Sequence, residues 1–163
     1  FSTMAGMAFG QAFLGITHSL AHKMGGAFGL PHGLLIAIAM PQVIRFNAQR
    51  PQKLALWPHY ETYHATKDYA DIARFIGLQG KNDEELADAY AQKYIDVAHE
   101  CGVTLSLKAN GVTREEFDKV VDQLAVLAYE DQCTTTNPVE PLVSQLKELL
   151  ERCYEGTGVE DNN

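Results

Sequence analysis

Residues 12–47 read AFLGITHSLAHKMGGAFGLPHGLLIAIAMPQVIRFN. This stretch decides the fold, because apolar residues at helical spacing lie on both sides of a break marked by glycine and proline. It also carries three of the six histidines, His18, His22 and His32. His18 and His22 are four residues apart, so on a helix they share one face, about 5–6 Å apart at Cβ. His32 follows fourteen residues after His18. One unbroken helix would separate the two by about 21 Å. Two ligands of one metal cannot stand so far apart, since each metal–nitrogen bond is about 2 Å long. The sequence supplies a turn: Gly25, Gly26 and Gly29 free the backbone, and Pro31 resists continuation of the helix. The expectation is a helical hairpin with His32 opening the second helix and facing back toward the first.

A lone histidine in such a setting is most often a satisfied core residue. Three flanking one break, in an apolar and glycine-rich stretch, point to a metal instead. Imidazole suits zinc, iron, copper or nickel. The metalloprotease pattern H-E-x-x-H is excluded, because Ser19 stands where the general-base glutamate would be. Two or three histidines fall short of a full ligand set, so a carboxylate or another histidine must come from elsewhere. Spacing alone leaves open whether His18 pairs with His22 or with His32. The remaining histidines, His59, His64 and His99, have no comparable setting, and His59 and His64 read as surface or packing residues.

The chain has 163 residues, 46% of them apolar and 21% charged, which describes one globular domain with a sizeable core. Its net charge of −8 argues against a nucleic-acid or membrane-surface role, since phosphate binding needs clustered lysine and arginine. No apolar run approaches the roughly 20 residues of a membrane span. Cys101, Cys133 and Cys153 are odd in number, far apart and form no CxxC, so they read as reduced thiols of a cytoplasmic protein. The opening FSTMAGMAFG has no initiator methionine and no basic leader, which reads as the middle of a longer chain.

The rest of the chain is helical in pattern. Residues 3–24 read as one buried helix, rich in Ala, Gly and Met, and residues 33–47 as a second, with a kink or break expected at Pro41. Residues 48–66 are irregular. Residues 67–76 predict a short helix with Tyr69, Ile72, Ala73 and Ile76 on its inner side. Asn82 with Glu85, and Thr113 with Glu116, are capping-box pairs opening two more helices. Asn137, Pro138 and Glu140 look like the N-cap, first and third positions of a last helix, which Gly156 ends. No alternating strand pattern, repeat or phosphate-cradling G-x-G-x-x-G is present. The fold class is therefore all-α, a compact bundle of six to eight helices.

The run AGMAFGQAFLGITHSLAHKMGGAFGLPHGLLIAIAMPQVIRFN resembles the iron-containing (group III) alcohol dehydrogenases, and YADIARFIGL and DQCTTTNP resemble the same family. The likeness is strongest to the alcohol dehydrogenase half of bifunctional aldehyde-alcohol dehydrogenases. It covers nearly the whole chain, and it corresponds only to the family's C-terminal helical part. In that family one Asp and three His hold a divalent iron. The Asp and first His belong to an earlier helix absent from residues 1–163, and the other two match His18 and His32. His22 matches a further histidine beside nicotinamide and substrate, which implies catalytic and cofactor-binding roles for it. The family's NP dipeptide is commonly followed by Arg; here Val139 follows.

The resemblance implies a C-terminal helical metal-binding domain spanning residues 1–163, with the nicotinamide-binding α/β domain elsewhere. The implied reaction is reversible reduction of acetaldehyde or another short-chain aldehyde to the alcohol with NADH. Fe2+, or Zn2+, is the implied metal, and NAD(H) would be held mainly by the absent domain. The rest of the same enzyme is the expected partner, in a homo-oligomer or filament. The isolated chain is expected to be catalytically inert. Two other readings are a helical assembly module of a filament-forming enzyme, and a non-redox metal domain of the wider dehydroquinate synthase and glycerol dehydrogenase superfamily.

Overall fold

Residues 2–49 and 63–157 are described by the computed structural model, and among them the chain forms seven α-helices and one 3-10 turn, with no strand. The all-α expectation holds. The helices are α1 (Ser2–Ala12), α2 (Ile16–Phe28), α3 (His32–Asn47), α4 (Ala65–Phe75), α5 (Asp83–Glu100), α6 (Arg114–Tyr129) and α7 (Val143–Glu155), with the 3-10 turn at Gln132–Thr136. Helix α2 packs on α3, α6 and the 3-10 turn, α3 on α5 and α7, α4 on α5, and α6 on α7.

The single helix expected over residues 3–24 is two. Phe13 adopts a left-handed φ of 64°, and Gly15 is the extended N-cap of α2. The two halves differ in burial. Helix α1 buries no residue, and Met4, Met7, Phe9 and Phe13 stand exposed, whereas α2 buries Ile16, Leu20, Ala21 and Met24. The expected turn at Gly25–Gly29 also narrows. Gly25 and Gly26 lie inside α2, and Gly29 alone takes the left-handed conformation, φ 67°, its N–H donating to the Gly25 carbonyl at 3.0 Å. A Cβ at Gly25 would meet Leu35 Cδ1 on α3 at 3.4 Å, an ordinary packing distance. Helix α3 runs continuously through Pro41, whose missing N–H costs one helical bond but whose ring is buried in the core.

The main core gathers Ile16, Leu20 and Met24 of α2, Leu35, Ile38 and Val43 of α3, and Phe117, Val121, Leu146 and Leu150 of α6 and α7. Phe117 stacks on Tyr154 at 4.6 Å between ring centroids, and Arg114 lies over both rings at 5.4 and 5.3 Å. Both capping predictions are met in part or whole. Thr113 and Glu116 exchange bonds of 3.2 and 2.9 Å, while Asn82 accepts the Glu85 N–H at 2.8 Å and Glu85 reaches past it to the Lys81 N–H. Helix α4 meets its prediction in part, with Ala73 buried and Tyr69 half-buried but Ile72 and Ile76 exposed. It buries Ala65, Ala70 and Ala73, packs on α5, and exposes Ile72 and Phe75.

Asn137 is not the N-cap of the last helix. That helix begins at Val143, and residues 137–142 are irregular. The Asn137 side chain, fully enclosed, instead accepts the N–H of Ile16 at 3.2 Å, donates to Asn47 Oδ1 at 2.7 Å and donates to the Val139 carbonyl at 2.7 Å. It caps the start of α2 from across the fold. Asn47 joins this buried network, and Arg45 binds Asp88 at 2.7 Å. His59 lies outside the described residues. His64 is exposed beside Asp68.

Candidate functional site

The hairpin brings the three histidines together. His18 and His22 stand on one face of α2, and the short link through Gly29 and Pro31 returns the chain so that His32, the first residue of α3, meets them. Ring centroids are 6.0 Å apart for His18 and His22, 5.5 Å for His18 and His32, and 5.4 Å for His22 and His32, the last pair nearly parallel. Burial lowers the His18 pKa, and the neighbouring His32 and His22 lower it further against a weaker pull from Asp131. A neutral imidazole with a free ring nitrogen is the form a metal requires. Imidazoles 5.4–6.0 Å apart between ring centroids can enter the ligand shell of one divalent ion, and further donors must complete that shell.

A second layer of the site comes from a distant part of the chain. Asp131 caps the 3-10 turn by accepting the Cys133 N–H at 2.9 Å with Oδ1. Its Oδ2 faces α2, 2.8 Å from Lys23 Nζ and 3.5 Å from His22 Nδ1. Burial would raise the Asp131 pKa, but the Lys23 ammonium and the donated Cys133 N–H outweigh it and hold the carboxyl well below its usual range. Asp131, facing Nδ1, sets the orientation of the His22 ring. The turn is fastened to α2 by the Thr134 hydroxyl, which bridges the Ala128 carbonyl at 2.6 Å and the Ser19 hydroxyl at 2.8 Å.

Beside this layer lies an open cavity of about 490 Å³, lined by Phe9, Phe13 and Leu14 on one side and by Gln132, Cys133 and Thr135 on the other. Sequence reading found the three histidines but not Asp131, Cys133 or Lys23. The available signal was local: an aspartate two residues before a cysteine, in a turn-forming run, is an Asx cap. Nothing in the sequence placed that cap against a helix more than one hundred residues earlier.

Residues 1–154 match the model of the Fe-containing alcohol dehydrogenase family, C-terminal. The chain is 44% identical over 155 residues to the aldehyde-alcohol dehydrogenase of Streptococcus pneumoniae serotype 2 (strain D39), covering 95% of this chain and 18% of that protein. It is 39% identical over 160 residues to the bifunctional aldehyde-alcohol dehydrogenase of Escherichia coli K12, again over 95% of this chain and 18% of that protein. The fold is similar to the iron-containing alcohol dehydrogenase of Thermococcus thioreducens, with a TM-score of 0.76 and 33% identity, over 95% of this chain and 35% of that one. The chain therefore spans less than a fifth of the length of these aldehyde-alcohol dehydrogenases and about a third of that solved structure. Helical class, histidine hairpin and matched span agree: the chain belongs to the C-terminal part of the iron-containing alcohol dehydrogenase family.

Proposed function

We propose that this chain is the C-terminal helical domain of an alcohol dehydrogenase that interconverts a short-chain aldehyde, acetaldehyde foremost, and its alcohol with NAD(H) in the cytoplasm. The observation that carries the reading is the gathering of His18, His22 and His32 at 5.4–6.0 Å beside an open cavity, in a chain of this family. His18 and His32 would hold the metal, iron or zinc, with the remaining ligands from the rest of the polypeptide. When bound there, a divalent ion supplies Lewis acidity toward a carbonyl oxygen. His22 is the proton donor to the developing alkoxide, and Asp131 orients it through Nδ1. NAD(H) would lie against His22 and be held mainly by the preceding domain.

Anaerobic titration with ferrous ion tests the assignment. Binding weakened in His18→Ala and His32→Ala but kept in His22→Ala is the expected result. Binding that needs all three histidines equally would overturn the division of roles. NADH-linked aldehyde reduction by the 163-residue chain alone would overturn the claim that it is one part of a split site.

A second reading, an assembly module of a larger homo-oligomer or filament, draws on the exposed Ile72, Phe75 and Ile76 of α4. Sedimentation of the chain without metal or cofactor separates the two, since an assembly module associates on its own.

A further inference from the structure

We propose that His22, Asp131 and Cys133 form a second metal site, selective for a thiophilic divalent ion of the zinc and cadmium kind and distinct from the His18–His32 pair. The ligand atoms of these three residues all lie within 4.8 Å of one another. His22 Nδ1 and Asp131 Oδ2 are 3.5 Å apart. Tetrahedral zinc, with bonds of about 2.0–2.3 Å, places its ligand atoms about 3.3–3.6 Å from one another. Nitrogen and oxygen are therefore already at coordination spacing, and the Cys133 sulfur lies within 4.8 Å of both. A rotation of that short side chain brings the sulfur in.

The position already attracts a cation. The Lys23 ammonium sits 2.8 Å from Asp131 Oδ2, on the side facing His22. Lys23 is partly exposed on a long flexible stem, so it can swing to solvent and leave the carboxylate to a metal. Asp131 keeps its Oδ1 bond to the Cys133 N–H throughout, which holds carboxylate and thiol on the same turn. Cys133 lines the open cavity, which provides an entry path and room for a water as fourth ligand. The thiol proton leaves to solvent as the metal–sulfur bond forms. Sulfur, nitrogen and oxygen donors together favour zinc or cadmium over the harder ions. Occupation takes Nδ1 of His22, so a thiophilic ion here would compete with any proton transfer through that ring. The binding claim stands independently of the dehydrogenase reading.

Cadmium titration of the 163-residue chain tests it, read by the ultraviolet sulfur-to-cadmium charge-transfer absorption. A Cys101→Ser background removes the exposed thiol. The expected result is a band saturating at one equivalent that Cys133→Ser abolishes. Affinity should fall in His22→Ala by more than the roughly tenfold that loss of even an outer-shell partner costs a metal site. His18→Ala and His32→Ala should leave it unchanged. His22 is exposed, so its variant keeps the fold even where Cys133→Ser does not. No band in the parent, a band surviving Cys133→Ser, an affinity indifferent to His22→Ala, or one lost in His18→Ala or His32→Ala would each overturn the site.

Discussion

Asn137 Oδ1 accepts the backbone N–H of Ile16 at 3.2 Å, joining segments 121 residues apart. The bond satisfies one of the donors that every helix leaves open at its N-terminus, at the start of the helix that carries His18 and His22. The same side chain holds Asn47 at the end of α3. One amide thus fixes the two helices of the histidine hairpin relative to one another.

Asn137→Ala should lower stability by about 2–3 kcal/mol, because it strands the Ile16 N–H and the Asn47 amide in the core. Denaturant unfolding measures it. Asn137→Asp keeps the acceptor for Ile16 and should cost less. A loss below about 0.5 kcal/mol in the alanine variant would show that the clamp contributes nothing beyond a surface contact.

Gly15→Ala should disturb the same clamp from the other side. Its Cβ would stand 2.8 Å from Asn137 Oδ1, an atom held by the Ile16 N–H and the Asn47 amide while Asn137 Nδ2 is held by the Val139 carbonyl. A destabilisation of about 1–2 kcal/mol is expected. In the double variant Gly15→Ala/Asn137→Ala the costs should fall short of their sum, since both remove one interaction. Strict additivity would show that Gly15 acts through something else.

Asp131 predicts a pH dependence. Its folded pKa lies below its unfolded value, so the unfolded chain binds the proton more readily. Its contribution to stability is full above the unfolded pKa of about 3.9 and is lost as pH falls toward the folded value. Melting temperatures of wild type and Asp131→Asn should therefore differ by a constant amount above about pH 5 and converge below about pH 4. A gap that widens on acidification would contradict the assignment.

The three thiols should separate by reactivity. Cys101 is exposed, Cys133 is buried, and Cys153 is wholly enclosed, with burial pushing its pKa up to about 12. Only the thiolate reacts, and at pH 8 such a thiol is ionised in about one molecule in ten thousand. A thiol reagent should titrate Cys101 rapidly, Cys133 slowly and Cys153 only after denaturant is added. Fast labelling of Cys153 in buffer would mean that α7 opens readily.

The helical class and the main caps were legible because their signals are local. Thr113 and Glu116 meet within one turn, and so do Asn82 and Glu85. The hairpin was legible because fourteen residues between His18 and His32 left few ways to bring two imidazoles together. What escaped was set by partners far along the chain. Asn137 was rightly read as a capping residue, but of the wrong helix, since its target is 121 residues away. The break at Phe13 leaves no mark in composition, because its left-handed backbone is imposed on a residue that gives no warning of it. The inner face of α4 was read correctly at Tyr69 and Ala73 and wrongly at Ile72 and Ile76, because apolar periodicity favours bulky residues while the buried positions are Ala65, Ala70 and Ala73. Asp131 and Cys133 enter the site only through the packing of the 3-10 turn on α2.

Helix α1 has a consequence of a different kind. Its eleven residues bury no side chain. A helix that short has too few backbone bonds to repay its own nucleation in water, which takes about 12–15 residues even in favourable sequences. Gly6 and Gly10 weaken it further. Its order must then be coupled to covering Met4, Met7, Phe9 and Phe13, so any surface that docks there does so against a coil-to-helix transition. Such coupling trades affinity for reversibility. Chymotrypsin should read it directly: cleavage at Phe9 and Phe13 should precede any cut within α2 to α7, and a docked surface should suppress it.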